Sequence, residues 1–345
     1  MKEKHFHTPL FMAVPQTCLR YAMGASMKRV NVKKSIVLML ALIMVLVMAT
    51  GCGTKSTSGS NASANGGEAT KAADGGETTE AAKDDSQASG SESKLLQKIK
   101  EKGYIQIGSS NDAPFSYTDV DSGELKGVDI EILREICKRL GIPDIKMKVI
   151  DFSNLLVELN NNNIDMVVDA MYVKDDRLKI AAFTDKWYQE GEAVVIPADS
   201  TIASKEDLKG KKIGAQPGTT FYETAQKWLD DGKIGKLEAY DNQATLMTAV
   251  NMGKVDAVVT DGIVAGYTLA SDSALKLKLL SPYEAEASGQ IGAALRFEDK
   301  DFLTEVNTTL NAMKDDGTLL TILKNYGLTE DYFVGTEDGK TTNIK

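Results

Sequence analysis

Three short segments of this 345-residue chain carry residues that can bind a small charged molecule. The guanidinium of Arg177 can give a carboxylate two parallel N–H donors. Gly-Thr-Thr at residues 218–220 precedes a predicted helix, and backbone N–H groups at a helix N-terminus attract anions. Asp261 can offset the charge of an ammonium group. Together these groups would suit an α-amino acid, which carries a carboxylate and an ammonium a few ångströms apart.

Each of these residues also has an ordinary structural explanation. Arg177 can pair with the aspartates at 175 and 176, Thr220 with Glu223 forms a capping box, and Asp261 can cap the next helix. On the local sequence alone, both interpretations stay open.

Secondary-structure signals alternate between strand and helix from residue 94 onward, which favours an α/β fold with a largely parallel sheet. The predicted strands are 104–108, 145–150, 166–168, 212–215 and 257–259. The predicted helices are 128–140, 152–160, 221–229, 244–251 and 302–314.

Ligands of open α/β sheets bind beyond the carboxyl ends of the strands, which directs attention to the residues after each predicted strand. The first strand is followed by a polar loop that contains Ser109 and Asp112, and the third by Ala170 and Tyr172. We therefore add these four residues to the candidate site.

An internal repeat indicates two lobes of similar plan. Residues 154–169 (NLLVELNNNNIDMVVD) align without gaps to residues 245–260 (TLMTAVNMGKVDAVVT), and Ile107-Gly108 has a counterpart in Ile213-Gly214. Two such units facing each other would place one ligand in the cleft between them.

Composition excludes several classes of function. Residues 1–52 carry a net charge of +6 and the rest −15, which argues against nucleic acid as a partner. No histidine follows His7, so catalysis by a Ser-His-Asp or Cys-His arrangement is excluded. The three cysteines, Cys18, Cys52 and Cys137, form no metal-binding or disulfide pattern. We expect neither a metal nor a cofactor.

The N-terminus predicts export and lipid anchoring. Basic residues at 28–34 precede an apolar run at 36–49, which is too short for a comfortable membrane span and typical of a signal peptide. The run ends in Ala-Thr-Gly-Cys52, which resembles a bacterial lipobox, so we predict that Cys52 is lipidated and becomes the first mature residue. Residues 53–93 contain no large apolar side chain and are predicted to form a flexible tether.

Several ordered segments resemble the bacterial extracellular solute-binding proteins, family 3, which supply polar amino acids to ABC importers. The resemblance covers residues 95–328. The matching segments are APFSY (113–117), GVDIEI (127–132), DFS (151–153) with NID (163–165), DR (176–177) with FTD (183–185), DLKGKKIG (207–214) and MKDDGT (313–318).

The resemblance implies a two-lobed periplasmic-binding-protein-like fold of type II with a ligand cleft and a two-strand hinge. It implies lobe 1 at 94–187 and 291–330, lobe 2 at 191–287, and a C-terminal tail at 331–345. In the family, the residue at Arg177 binds the α-carboxylate with the help of those at Thr219 and Thr220, and the residue at Asp261 binds the α-ammonium. An aromatic residue at Phe152 packs on the ligand side chain.

Departures from the family pattern affect the side-chain pocket. Asp112 stands where the family has an aromatic residue, Lys174 replaces a threonine, and Asp176 replaces a glutamate. The altered pocket slightly favours a polar or basic amino acid. We therefore expect a monomeric, lipid-anchored protein on the extracytoplasmic face of the membrane that captures an amino acid and delivers it to an ABC permease.

Two other functions remain as alternatives at this stage. Some relatives of this fold dehydrate prephenate-like carboxylates, and such an enzyme would need an acid, for which Glu190, Glu192 or Asp112 is available. A ligand-sensing module of a receptor is the second alternative.

Overall fold

The computed structural model describes residues 92–343. The predicted signal peptide, the lipidation of Cys52 and the tether up to residue 91 lie outside the described residues. The helices are α1 Lys94–Lys102, α2 Val128–Leu140, α3 Leu155–Asn160, α4 Asp175–Leu178, α5 Thr220–Asp230, α6 Gln243–Asn251, α7 Gly262–Ser271, α8 Lys300–Asp315 and α9 Thr318–Asn325. The strands are β1 Ile105–Ser109, β2 Tyr117–Thr118, β3 Leu125–Lys126, β4 Ile145–Val149, β5 Met166–Val167, β6 Ala182–Phe183, β7 Tyr188–Glu190, β8 Glu192–Pro197, β9 Lys212–Ala215, β10 Lys236–Ala239, β11 Ala257–Asp261, β12 Leu277–Leu279, β13 Gly289–Ile291 and β14 Ala294–Leu295.

Two five-stranded sheets form the centres of two lobes. The sheet of lobe 1 has the order β4-β1-β5-β14-β6, and the sheet of lobe 2 has the order β10-β9-β11-β8-β12. In each sheet the first three strands run parallel, and the fourth pairs antiparallel with both of its neighbours. The two-lobed α/β prediction is therefore confirmed. The fourth strand in each lobe, which makes both sheets mixed, was not predicted.

The internal repeat corresponds to the same pieces of the two lobes. Asp165 accepts the backbone N–H of Gln106 at 2.9 Å, and Asp256 accepts the backbone N–H of Lys212 at 2.7 Å. Each repeated aspartate thus ties the turn before one strand to the start of its neighbour.

The two glycines of the repeat, Gly108 and Gly214, occupy equivalent positions for the same packing reason. A Cβ atom on Gly108 would lie 3.1 Å from Leu155 Cδ2, and one on Gly214 would lie 2.9 Å from Leu246 Cδ1. In both lobes glycine lets a leucine of the helix pack closely against the sheet.

The ends of helices α1 and α2 follow from signals in the local sequence. Helix α2 buries Ile132 and Ile136 completely on one face and stops at Gly141, which adopts a left-handed conformation with φ of 71°. Helix α1 starts after Ser93, whose hydroxyl accepts the N–H of Leu96. Because Ser93 also bonds to Glu305 through its backbone and its side chain, the folded body includes this residue of the predicted tether.

The chain crosses between the lobes in two segments that pair with each other. Strands β7 and β13 run antiparallel, with Glu190 opposite Gly289 and Tyr188 opposite Ile291. A Cβ atom on Gly289 would lie 2.2 Å from Cδ2 of the Tyr172 ring, so this position needs glycine. The crossing positions thus agree with the two-strand hinge that the family resemblance implies.

Residues 331–343 pack on lobe 1 rather than extending away from it. Phe333 bridges to Tyr188, the Thr341 N–H donates to Asp185 at 2.9 Å, and Asn343 accepts the Phe183 N–H at 2.7 Å. Within residues 92–343, no helix is both long and apolar enough to cross a bilayer.

Candidate functional site

A small cavity lies between the lobes at the carboxyl ends of the parallel strands, as the strand-end rule predicts. Its volume, measured as the space open to the centre of a water molecule, is about 20 Å³. Its lining comprises acidic, amide, hydroxyl and aromatic residues and one arginine: Asp112, Phe115, Phe152, Asp169, Ala170, Tyr172, Arg177, Gln216, Thr219, Thr220, Phe221, Gln243 and Asp261.

Eight of the ten predicted site residues meet at this cavity. Ser109 and Gly218 do not line it, although both contact residues that do. That these side chains bind a ligand stays a prediction.

Arg177 lies in α4 with only 6% of its surface exposed. Its Nη1 donates to the Tyr172 carbonyl at 2.9 Å, and its Nη2 donates to the Gly218 carbonyl at 2.8 Å, across the boundary between the lobes. The guanidinium also lies 5.5 Å from the centre of the Phe152 ring. Asp176 pairs with Lys174 instead, so the ordinary explanation of Arg177 as the partner of that aspartate is wrong. Burial lowers the pKa of Arg177, whose guanidinium has five N–H donors to offer.

The N-terminus of α5 is capped differently from the prediction. The Thr219 hydroxyl accepts the Tyr222 N–H at 3.1 Å and donates to the Gln216 carbonyl at 2.7 Å, so Thr219 is the cap. Glu223 does not complete a capping box with Thr220, because it pairs with Lys174 across the lobes at 2.7 Å. The predicted capping box is therefore wrong.

This correction leaves the Thr220 hydroxyl without a role in the helix. The oxygen is buried, lies at the cavity and has no hydrogen-bond partner among residues 92–343. A buried hydroxyl without a partner is unfavourable, so this group is available for a ligand. Gly218, just before the cap, has a φ of 83°, and a Cβ atom there would lie 2.8 Å from Ser153 Cα of lobe 1. Glycine at this position therefore permits close contact between the lobes.

Asp261 ends β11 with 6% of its surface exposed. Its side chain makes no capping bond to α7 and instead accepts from Gln243 Nε2 at 3.3 Å. Burial raises the pKa of Asp261 to about 6.

Burial also raises the pKa of Glu190, on the hinge strand β7, and the neighbouring Asp261 raises it further. The side chains of Glu190 and Asp261 interact directly with each other. Two carboxyl groups therefore share a buried location that a cation would stabilise.

Asp112 connects the two lobes. Its Oδ1 accepts the Gln243 N–H at 3.1 Å, and its Oδ2 accepts from Gln216 Nε2 at 3.2 Å. The Ser110 hydroxyl lies 2.6 Å from both Asp112 Oδ2 and Asp169 Oδ2. Ser109, predicted as a ligand contact, has its hydroxyl turned inward, 2.7 Å from Asp169 Oδ1.

Aromatic and main-chain groups complete the cavity. The Tyr172 ring meets Phe221 edge-on, with 5.6 Å between ring centres, and the Tyr172 hydroxyl is buried without a partner among residues 92–343. Ala170 has a φ of 48°, and its N–H donates to Asp129 at 2.7 Å. This bond fixes the backbone where β5 turns into the cavity.

Five lining residues were absent from the predicted site: Phe115, Asp169, Gln216, Phe221 and Gln243. Asp169 and Gln216 follow directly after predicted strands, so the strand-end rule could have included them. Gln243 starts a helix, and no sequence signal links it to the cleft.

The chain matches, over residues 105–329, the family described as bacterial extracellular solute-binding proteins, family 3. The chain belongs to this family. Among similar family members, the L-cystine-binding protein TcyJ of Escherichia coli is 30% identical over 65% of this chain and 83% of its own length. The ABC transporter glutamine-binding protein GlnH of Bacillus subtilis is 28% identical over 67% of this chain and 84% of its own length.

Solved structures agree with the family assignment. An ancestral arginine-binding protein bound to arginine is 31% identical, with a TM-score of 0.60 over 65% of this chain and 98% of its own length. An ancestral amino acid-binding protein, a precursor of cyclohexadienyl dehydratase, is 28% identical, with a TM-score of 0.60 over 67% of this chain and 99% of its own length. The similar proteins of family 3 named here are binding proteins of amino acids.

The groups considered for a dehydratase are mostly engaged elsewhere. Glu192 accepts the Tyr283 hydroxyl at 2.9 Å and the N–H groups of Glu286 and Ala287, and neither it nor Glu190 lines the cavity. Among the described residues, no group of three or more His, Cys, Asp or Glu side chains could hold a metal ion.

Proposed function

We propose that this protein captures an amino acid outside the cytoplasm, closes around it by a hinge motion and delivers it to an ABC importer. One observation carries the proposal: a cavity between the two lobes is lined by a buried guanidinium, a buried carboxylate and a buried hydroxyl that has no partner among residues 92–343. Similar proteins are named as binding cystine, glutamine or arginine, and this supports the proposal.

The α-carboxylate of the ligand is assigned to Arg177 and Thr220. The guanidinium is already oriented by two carbonyls, so little side-chain entropy is lost when a carboxylate arrives. Thr220 supplies a hydroxyl, and the first N–H groups of α5 add the positive end of the helix dipole.

The α-ammonium is assigned to Asp261. Its raised pKa reflects the unfavourable burial of negative charge, and a cation placed beside it removes that penalty. Burial and the neighbouring Asp261 raise the pKa of Glu190 and so favour its neutral form, which leaves the negative charge of the pair on Asp261.

Closure is supported by the bonds that join the lobes around the cavity. Arg177 binds the Gly218 carbonyl, Asp112 binds Gln216 and Gln243, and Lys174 pairs with Glu223. Because each contact joins lobe 1 to lobe 2, opening at the β7–β13 crossing would break all of them together.

A lipid on Cys52 is proposed to hold the protein at the membrane. The basic segment, the short apolar run and the Cys52 position support it. Metabolic labelling with an alkyne fatty acid tests this: the full-length chain should take up label, whereas Cys52→Ser should not. Equal labelling of the two would contradict the anchor.

Ligand capture is tested with the full mature chain by thermal unfolding in the presence of each of the twenty amino acids, cystine, ornithine and citrulline. A ligand at 100 times its Kd stabilises the folded state by about 2.7 kcal/mol, which moves the midpoint measurably. Isothermal titration calorimetry then gives the affinity, and uptake of the radiolabelled ligand by cells lacking this protein tests delivery. A folded protein whose midpoint no amino acid shifts would refute the proposal.

A further inference from the structure

An ion pair joins the two lobes outside the lining of the cavity. Lys174 Nζ of lobe 1 lies 2.7 Å from each carboxylate oxygen of Glu223 in lobe 2, and neither residue lines the cavity. Among the ion pairs of residues 92–343, this is the only one that joins lobe 1 to lobe 2. Because the pair spans the lobes, it can exist only while they are close together.

Both charges of this pair are also stabilised within their own lobe. Lys174 directly precedes α4, and its Nζ lies 3.4 Å from Asp176 Oδ2 of the same lobe. Glu223 lies in the first turn of α5, where the helix dipole favours a negative charge. Each side chain is therefore partly positioned before the lobes meet, which reduces the entropy loss that weakens many surface ion pairs.

The pair lies next to the groups assigned to the ligand carboxylate but is separate from them. Lys174 is three positions before Arg177, and Glu223 is three positions after Thr220. Burial lowers the pKa of Arg177, and the nearby charge of Glu223 opposes this effect. A substitution at Lys174 can therefore change the contact between the lobes while every residue of the cavity lining stays in place.

Partial exposure makes this pair sensitive to dissolved salt. The side chains of Lys174 and Glu223 are 23% and 57% exposed. The Debye length falls from about 30 Å at 0.01 M salt to about 3 Å at 1 M salt, so the attraction between exposed charges weakens strongly. A second cross-lobe contact outside the lining, between the hydroxyls of Tyr117 and Tyr267 at 3.4 Å, carries no charge. We therefore assign the salt dependence of lobe contact to the ion pair.

We propose that Lys174 and Glu223 form a closure latch, which slows opening of the lobes and release of the ligand without touching the ligand, and which weakens as ionic strength rises. Lys174 is then a positioning residue of the binding protein. This inference rests on the proposed function, because it assumes that the lobes open and close around an amino acid. It adds a dependence of release on salt that amino-acid capture alone does not require.

Stopped-flow kinetics on the full mature chain tests the latch, with the amino acid that gives the largest thermal shift. The variant is Lys174→Thr, whose side chain is uncharged and too short to reach Glu223. The matched control is Lys227→Thr, because Lys227 pairs with Asp231 at 2.9 Å within lobe 2. We expect Lys174→Thr to raise koff about threefold at 0.01 M NaCl and to leave it nearly unchanged at 1 M, whereas Lys227→Thr leaves koff unchanged at both concentrations.

Three results of this measurement would overturn the latch. The first is a koff of Lys174→Thr equal to that of the wild type at 0.01 M NaCl. The second is a rise in koff of the same size at both salt concentrations, because an ion pair would be screened. The third is a change confined to kon, which would show that Lys174 only attracts the ligand from a distance.

A double-mutant cycle tests whether the two residues act as a pair. Glu223→Gln also removes a charge near Arg177, so its effect on koff is compared in two backgrounds. We expect this effect to be about threefold smaller in the Lys174→Thr chain than in the wild type. An equal effect in both backgrounds would overturn the pairing. If Lys174→Thr does not fold, the salt-dependent rise in koff of Glu223→Gln decides.

The outcomes separate this inference from the proposed function. A wild-type chain that binds an amino acid, with a koff that Lys174→Thr does not change, overturns the latch and leaves amino-acid capture intact. A folded chain that binds no amino acid overturns both.

Discussion

Replacing Arg177 by alanine tests the carboxylate assignment most directly. Arg177 is only 6% exposed and its guanidinium donates to two carbonyls, so its removal takes away a fixed cation and not a mobile surface charge. Truncating one partner of a buried, hydrogen-bonded charge pair weakens binding by about 2–5 kcal/mol. At 1.4 kcal/mol per tenfold, the Kd should rise between about 30-fold and several thousand-fold.

The same substitution has a separate effect on folding. It leaves the Tyr172 and Gly218 carbonyls without these donors but also removes the unfavourable burial of a charge. We expect a net loss of stability of about 1–3 kcal/mol with cooperative unfolding retained. Arg134→Ala is the control, because Arg134 lies exposed on α2 in an ion pair with Glu131.

The assay is calorimetry with the amino acid that gives the largest thermal shift, and with its decarboxylated amine. If Arg177 binds the carboxylate, wild type should prefer the amino acid strongly, and Arg177→Ala should lose most of that preference. A Kd for Arg177→Ala within threefold of wild type, or an equal loss for both compounds, would refute the assignment.

Three further predictions concern other groups of the cavity and the core. Thr220→Val removes a hydroxyl with no partner among residues 92–343, so ligand affinity should fall about tenfold while the urea midpoint stays unchanged. Thr219→Val should instead lower the free energy of unfolding by about 1 kcal/mol, because it removes the cap of α5. The reverse pattern would contradict both roles. Asp261→Asn should weaken α-amino acids more than their deaminated analogues in calorimetry, and an equal loss would count against its ammonium role. Asp129 and Asp261 have pKa values of about 6, above their ordinary 3.8, so the folded chain binds more protons than the unfolded chain. Urea denaturation of the ligand-free chain should therefore show stability rising as pH falls from 7 to 5, by about 1 kcal/mol for each group, and a fall over this range would disprove the sign.

Local signals sufficed for several elements of the fold. Helix α2 and strand β9 have the predicted ends, because Gly141 stops the helix and polar residues flank the short run Ile-Gly-Ala of the strand. The repeated segments predicted two similar lobes, and the matched aspartates and glycines explain why the repeat is visible. Strand β8 was missed because it is buried along most of its length and shows no alternation between polar and apolar residues.

From the sequence, candidate site residues could be named one by one, but their mutual contacts could not be predicted. Thr219 and Thr220 are adjacent and identical in type, so which one caps α5 depends on backbone angles that the sequence does not show. Asp112 and Asp169 are 57 positions apart, and their meeting through Ser110 depends on the parallel register of β1 and β5. Such contacts follow from tertiary structure, which is why this meeting was not foreseen.

The paired crossings β7 and β13 have a practical consequence for following this protein in solution. Two adjacent strands joined by backbone bonds resist twisting in most directions, so relative movement of the lobes should reduce to nearly one coordinate. A single fluorophore pair would then suffice as a reporter of occupancy. Val120 in lobe 1 and Met252 in lobe 2, 97% and 64% exposed, offer cysteine-labelling positions that leave the cavity untouched.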